Sequence, residues 1–189
     1  MTGGGSEMKN AIIFSGTGGQ GIVSMGKMLA DAAIESGKHA LDYPSYGAEQ
    51  RGGIAKSVVI IDDKEIVSPM AQKGGVLVAM TQNAYNTFIN DLEPGGTLVY
   101  DSAMITKPIE RTDIKKVAIP AGDLAIQIGS PRVANVIIIG ALVFIGGYVT
   151  LDQIKDSLNT KFADKSETVR KLNEVALDKG FEIAKNLNK

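Results

Sequence analysis

The stretch Ala11-Ile12-Ile13-Phe14-Ser15-Gly16-Thr17-Gly18-Gly19-Gln20-Gly21 decides the fold. A short apolar run, of the kind found in buried strands, gives way to a glycine-rich turn. From Gln20 to Ser36 the apolar residues Ile22, Met25, Met28, Leu29, Ala32, Ala33 and Ile34 recur at helical spacing, and Gly37 supplies a stop. Strand, tight loop and helix in that order open a βαβ unit.

The remaining segments extend the same alternation. His39 to Tyr43 reads as a short second strand, Pro44 to Gly53 as a loop, and Ile54 to Ile61 as a β-branched strand. Asp62-Asp63 signals a turn, after which Lys64 to Val67 is expected to return as a hairpin partner. Gly75 to Ala79, Thr97 to Asp101 and Ile114 to Ile119 read as further strands, with a helix over Gln82 to Leu92. Helices over Val133 to Ile145, Leu151 to Leu158 and Ser166 to Asn186 complete the chain. Strands alternating with helices predict an α/β fold. The expected form is three-layer, with a mostly parallel sheet, helices on both faces and an inserted β-hairpin.

The chain has 189 residues with 44% hydrophobic content, enough for one globular domain with a sizeable core. Residues 8–189 are read as that domain, with Met8 as the natural start. The Gly-rich, polar residues 1–7 are expected to be an appended or flexible end. No apolar leader segment is visible there. The longest apolar run, Val133 to Val149, is shorter than the ~20 residues of a membrane span and reads as a buried core helix. A net charge of −1 without a basic run argues against nucleic acid. The absence of cysteine removes disulfides, thiolate catalysis and cysteine-held clusters from this chain, and fits a reducing, cytoplasmic setting. With one histidine, His39, a multi-histidine metal site within the chain is excluded; His39 itself reads as a surface or packing residue.

Gly16 to Gly21 fits G-x-G-x-x-G between a strand and a helix, the setting in which that motif binds phosphate. Glycines let the backbone turn sharply and approach a ligand, and the helix start offers free N–H groups and partial positive charge. Asp42, 21 residues beyond Gly21, would bind ribose hydroxyls in a dinucleotide fold. Nicotinamide or flavin dinucleotides and coenzyme A therefore all remain open at this point. Lys27, further along the helix, fits either a phosphate contact or a solvated lysine. The loop Tyr43 to Gly53 is equally distinctive: Arg51 suits a phosphate or carboxylate, and Gly52-Gly53 permits close backbone approach. Asp101 ends a strand, where carboxylates bind ligands or cap the next element; Asp123 could cap the segment after it, and Asn135 requires a hydrogen bond if buried.

Gly16-Thr17-Gly18-Gly19-Gln20-Gly21, Tyr46-Gly47-Ala48-Glu49-Gln50-Arg51-Gly52-Gly53 and Ile66-Val67-Ser68-Pro69 together resemble the gamma subunit of 2-oxoacid:ferredoxin oxidoreductases. The form of the second loop is most similar to the 2-oxoglutarate members. The likeness extends from about Met8 to Lys185, through Arg132-Val133-Ala134-Asn135 and the region Asn173 to Gly180. It implies a multisubunit enzyme that oxidatively decarboxylates a 2-oxoacid to an acyl-CoA. Thiamine diphosphate, Mg and iron–sulfur clusters would reside in partner alpha, beta and delta subunits, with ferredoxin as the electron acceptor. This chain would help cover coenzyme A. On that pattern Gly18, Gly19, Gly21 and Lys27, with Gly16 in the same loop, are the expected coenzyme A contacts, and Arg51 and Ser57 secondary ones. No catalytic or metal-binding residue is expected, the isolated chain should be inactive, and an exposed apolar patch leaves homodimer formation open. The readings set against this are a stand-alone Rossmann oxidoreductase using NAD or FAD, and a non-catalytic scaffold subunit.

Overall fold

The computed structural model describes residues 10–46, 53–67, 73–107 and 109–187, without the Tyr46 side chain. Residues 1–7 and Arg51 lie outside the described residues. Six strands form one sheet: β1 (Ala11–Thr17), β2 (His39–Tyr46), β3 (Ile54–Asp62), β4 (Gly74–Ala79), β5 (Leu92–Asp101) and β6 (Lys115–Ile119), in the order β2-β3-β1-β4-β5-β6. β1, β4, β5 and β6 pair in parallel, and β3 runs antiparallel to both of its neighbours, β1 and β2.

The α/β architecture expected from the sequence is present, with one correction. Lys64 to Val67 is not a strand. Both edges of β3 are taken, by Thr17↔Ile54 through Ala11↔Ile60 on one side and Tyr46↔Ala55 through His39↔Asp62 on the other. No free edge remains for a returning partner. The hairpin is β2 with β3, inserted so that β2 lies one strand away from β1. β2 also continues through Pro44, which sits on the edge strand where a missing N–H costs no interior ladder bond.

The helices are α1 (Ile22–Glu35), α2 (Gln82–Phe88), α3 (Ala121–Ile128), α4 (Ala134–Gly146), α5 (Leu151–Lys161) and α6 (Glu167–Leu187). Alternate residues of β1 enter different cores: Ile12 and Phe14 pack under α1 and α3–α6, whereas Ala11 and Ile13 join Tyr85, Leu98 and Ile105 on the other face. The second face is thin, covered by α2 and the connection that follows β5. α3 was not foreseen, although its Ala121, Leu124, Ala125 and Ile128 follow a helical stripe and Gly129 ends it at φ +105°.

α4 is the core helix predicted from the apolar run, with Val136 through Val143 buried. It crosses α6 at backbone contact. A Cβ on Gly140 would collide with the Leu177 carbonyl, and one on Gly180 with the Ile137 carbonyl. Phe144 and Phe181 meet edge to face at 5.4 Å beside that crossing. Among the described residues, no helix is long and apolar enough to cross a membrane.

Candidate functional site: a cleft between two helix starts

The chain leaves β1 towards β2 and β3 on one side of the sheet, then returns through β4 to β5 and β6 on the other. The carboxyl ends of β1 and β4 therefore flank a topological switch point, where ligands bind in such sheets. The buried Ser15 hydroxyl donates to the Val78 carbonyl at 2.8 Å, and the Met80 N–H donates to Ser15 O at 2.9 Å, locking these two ends together. Above them opens a cleft of about 340 Å³ lined by Gly19, Gln20, Gly21, Met80, Pro131, Arg132, Ala134 and Asn135.

Two helix starts meet at this cleft. α1 begins at Gly21 with no side-chain cap. α4, entered through the 3-10 turn Pro131–Val133, also has no N-cap side-chain bond, although Asn135 Oδ1 accepts the Val136 N–H at 2.9 Å within its first turn. Uncapped first-turn N–H groups carry the positive end of the helix dipole. Arg132 is exposed and, among the described residues, is the only charged side chain lining the cleft. The arrangement suits an anion with several oxygens, as phosphate groups provide.

The glycine loop has a defined distribution of donors. The Thr17 N–H donates to Gln20 Oε1 at 2.7 Å, the Gln20 N–H to Thr17 O at 3.1 Å, and the Gly18 N–H to Gly53 O at 2.9 Å. Among the described residues, the N–H groups of Gly19, Gly21 and Ile22 have no protein partner. Gly19 and Gly21 adopt φ of +97° and +76°. A Cβ at Gly21 would in addition strike the Asn135 carboxamide, so glycine is required there twice over.

The expected site residues divide accordingly. Gly19 and Gly21 line the cleft, and Gly16 and Gly18 shape the loop behind it. The Gly18–Gly53 hydrogen bond also brings the end of the second distinctive loop to the first. Lys27 is exposed on α1, pairs with Asp31 at 3.1 Å and does not line the cleft. Ser57 is fully buried; its hydroxyl donates to Asp42 under Gly26 of α1. Arg132, Asn135 and Met80 are site residues that the sequence reading did not identify as such. The helix start at Arg132 to Asn135 was read in the sequence, but nothing in that stretch itself shows that it faces the glycine loop.

Asp42 does not act as a dinucleotide fold would require. β3 separates its strand from β1, and its carboxylate accepts the Ser57 hydroxyl. Burial pushes its pKa above the usual carboxylate range, with the Ser57 hydrogen bond and Lys27 acting against this. Asp101, 1% exposed, accepts N–H groups of Ala103 at 3.0 Å and Gly122 at 3.1 Å and so caps α3. Its pKa is also raised by burial, against those same hydrogen bonds. His39 is exposed at the start of β2. Among the described residues, no group of three or more His, Cys, Asp and Glu could hold a metal ion.

Comparisons with known proteins bear on the family and the fold. The family described as pyruvate ferredoxin/flavodoxin oxidoreductase matches residues 11–183. The 2-oxoglutarate synthase subunit KorC of Methanocaldococcus jannaschii is 34% identical over 184 residues, covering 96% of this chain and 97% of its own. The ketoisovalerate oxidoreductase subunit VorA of Methanothermobacter thermautotrophicus is 35% identical over 173 residues and 90% of this chain. The chain spans only 35% of that relative's length. Among solved structures, the keto/oxoacid ferredoxin oxidoreductase gamma subunit of Geobacter sulfurreducens aligns with a TM-score of 0.80 at 34% identity, covering 94% of this chain and 99% of that one. The 2-oxoglutarate:ferredoxin oxidoreductase of Magnetococcus marinus, solved with 2-oxoglutarate, coenzyme A and succinyl-CoA, aligns with a TM-score of 0.87 at 29% identity, over 93% of this chain and 31% of that one. Sheet order, the paired helix starts and these matches lead to one assignment: the chain belongs to the pyruvate ferredoxin/flavodoxin oxidoreductase family, as a gamma subunit of the 2-oxoacid:ferredoxin oxidoreductases.

Proposed function

We propose that this chain is the gamma subunit of a 2-oxoglutarate:ferredoxin oxidoreductase, and that its cleft holds the phosphate groups of coenzyme A while partner subunits carry out the decarboxylation. The observation that carries this reading is the convergence of two uncapped helix starts and Arg132 on one cleft at the switch point. The contacts assigned to the coenzyme are the N–H groups of Gly19, Gly21 and Ile22 and the Arg132 guanidinium, with Gly16 and Gly18 maintaining the loop. Lys27, exposed on α1 and outside the cleft lining, is assigned to the approach to the cleft, and Ser57 to holding α1 against the sheet; Arg51 is kept as a proposed coenzyme A contact on the family resemblance alone.

Holding coenzyme A by its phosphates leaves the thiol end free to extend towards a partner subunit. Fixing a remote part of a substrate in this way raises the effective concentration of its reacting end. Thiamine diphosphate with Mg would supply the carbanion chemistry, and iron–sulfur clusters the path to ferredoxin, in the alpha, beta and delta subunits of a cytoplasmic complex. The likeness to KorC along nearly its whole length favours 2-oxoglutarate over branched acids.

The test is an anaerobic native pull-down of this chain from its source cell, followed by an assay of coenzyme A-dependent viologen reduction with 2-oxoglutarate, pyruvate and branched 2-oxoacids. The expected result is co-purification with larger subunits and greatest activity on 2-oxoglutarate. Preference for another acid would overturn the substrate assignment, and an inactive, solitary chain would overturn the complex.

A further inference from the structure

Gln20 occupies the fifth position of the glycine motif, where the pattern itself sets no requirement. Its side chain nevertheless folds back across the turn, and its Oε1 accepts the Thr17 N–H at 2.7 Å while its own N–H donates to Thr17 O at 3.1 Å. Both hydrogen bonds join the last residue of β1 to the residue before the α1 cap. They span the turn that presents Gly19 and Gly21 to the cleft.

Gly16 belongs to the same unit. A Cβ built on Gly16 would lie 2.6 Å from Gln20 Oε1 and 2.6 Å from Ile22 Cδ1. The space that an alanine methyl would fill is therefore the space through which the Gln20 carboxamide reaches Thr17. Gly16 is buried and does not line the cleft, whereas Gln20 does. We propose that Gln20 is a positioning residue: its carboxamide sets the glycine loop in its anion-binding shape, and Gly16 is glycine in order to admit that carboxamide. This rests on the coenzyme A reading given above. It changes the role of Gly16 from a ligand contact to a space-maker, and makes positions 16 and 20 a single functional pair.

The physical consequence follows from preorganisation. A loop that holds its donors in place before the ligand arrives loses less freedom on binding. Replacing the acceptor with a side chain of similar shape, Gln20→Met, removes the Thr17 bond without emptying the site. Losing one neutral hydrogen bond from the shaped loop corresponds to about a three- to ten-fold weaker hold on the ligand.

The test uses the assembled enzyme carrying wild-type chain, Gln20→Met, Gly16→Ala or both. Hydrogen exchange over residues 17–24 is followed with and without coenzyme A, alongside KM for coenzyme A, KM for the 2-oxoacid and kcat. The expected result is faster exchange at Thr17 in Gln20→Met, KM for coenzyme A raised about three- to ten-fold, and kcat and the 2-oxoacid KM unchanged. The Gly16→Ala methyl also meets Ile22 Cδ1, so the double variant should keep that cost but lose the carboxamide hydrogen bond only once, and its effect on the KM for coenzyme A should fall below the product of the two single effects. If coenzyme A protects the wild-type loop but Gln20→Met binds it as wild type does, or if the double variant shows the full product, the positioning role is wrong. If coenzyme A does not protect residues 17–24 of the wild type, the coenzyme A reading fails first and takes this role with it. Should Gly16→Ala fail to assemble, Gln20→Met alone decides through its exchange rate and KM.

Discussion

Asp42 and Ser57 show how a residue's meaning depends on which strand lies beside it. By spacing Asp42 was a candidate for ribose recognition, and by the family resemblance Ser57 was a secondary candidate for a coenzyme A contact. The inserted β3 brings them together beneath Gly26, where the Ser57 hydroxyl donates to Asp42. Because burial raises the Asp42 pKa above the ordinary aspartate value of 3.8, the folded state holds this proton more tightly than the unfolded chain does. The carboxylate therefore costs stability once ionised. Asp42→Asn keeps an acceptor for Ser57 and removes that cost. It should raise Tm at neutral pH, with the gap to wild type closing as pH falls through the folded pKa of Asp42 towards 3.8. Parallel Tm profiles of the two proteins across pH would contradict this. Gly21 is the second decisive residue. Alanine there must hold φ near +76° and displace the Asn135 carboxamide, costing at least about 1–2 kcal/mol from the backbone conformation alone; thermal unfolding would measure it.

At the scale of elements, most strands and long helices were legible because each carries a clear period and a stop. The apolar run over Val133 to Ile145 gave α4, Ala134–Gly146, almost to the residue. Thr150 and Gln153 form a capping box that starts α5, and Thr150→Ala should lower stability by about 0.5–2 kcal/mol in denaturant unfolding. The failures have a common origin. Whether Lys64 to Val67 could pair depended on which strand edges remained free, and that is a property of the whole sheet. α3 was short and began with Ala121-Gly122, so its stripe was overlooked; a buried carboxylate from another element, Asp101, completes its start. The Gly140–Gly180 contact likewise joins residues far apart in sequence. Alanine at either position must separate α4 from α6, at a cost of about 1–3 kcal/mol, with Gly180→Ala and Gly140→Ala each lowering the denaturant midpoint. A double variant should cost less than the sum, since one separation relieves both collisions.

At the scale of the whole molecule, the pairing of β1 with β3 brings Gly53, the last residue of the second distinctive loop, against the glycine loop through the Gly18–Gly53 hydrogen bond. The glycine loop and the helix start at Arg132 were each visible in the sequence; that they share one cleft was not, because the two are more than a hundred residues apart and only the folded sheet brings them together. The chain covers nearly all of one relative and about a third of others, so the same domain serves both as a separate subunit and as part of a longer chain. A groove of about 390 Å³ between α3 and α6, lined by Ile128, Leu172 and Val175 together with Glu167, Thr168 and Lys171, lies on a different part of its surface from the cleft. Two helix starts and one guanidinium face the cleft, with no opposing carboxylate among the described residues that line it. The most direct test is the KM for coenzyme A of the assembled enzyme carrying Arg132→Ala, an exposed substitution that leaves the core intact. Loss of a charge-assisted phosphate contact predicts a rise of about ten- to a hundred-fold, with the KM for the 2-oxoacid unchanged; an unaltered KM for coenzyme A would contradict the assignment of this cleft to the coenzyme.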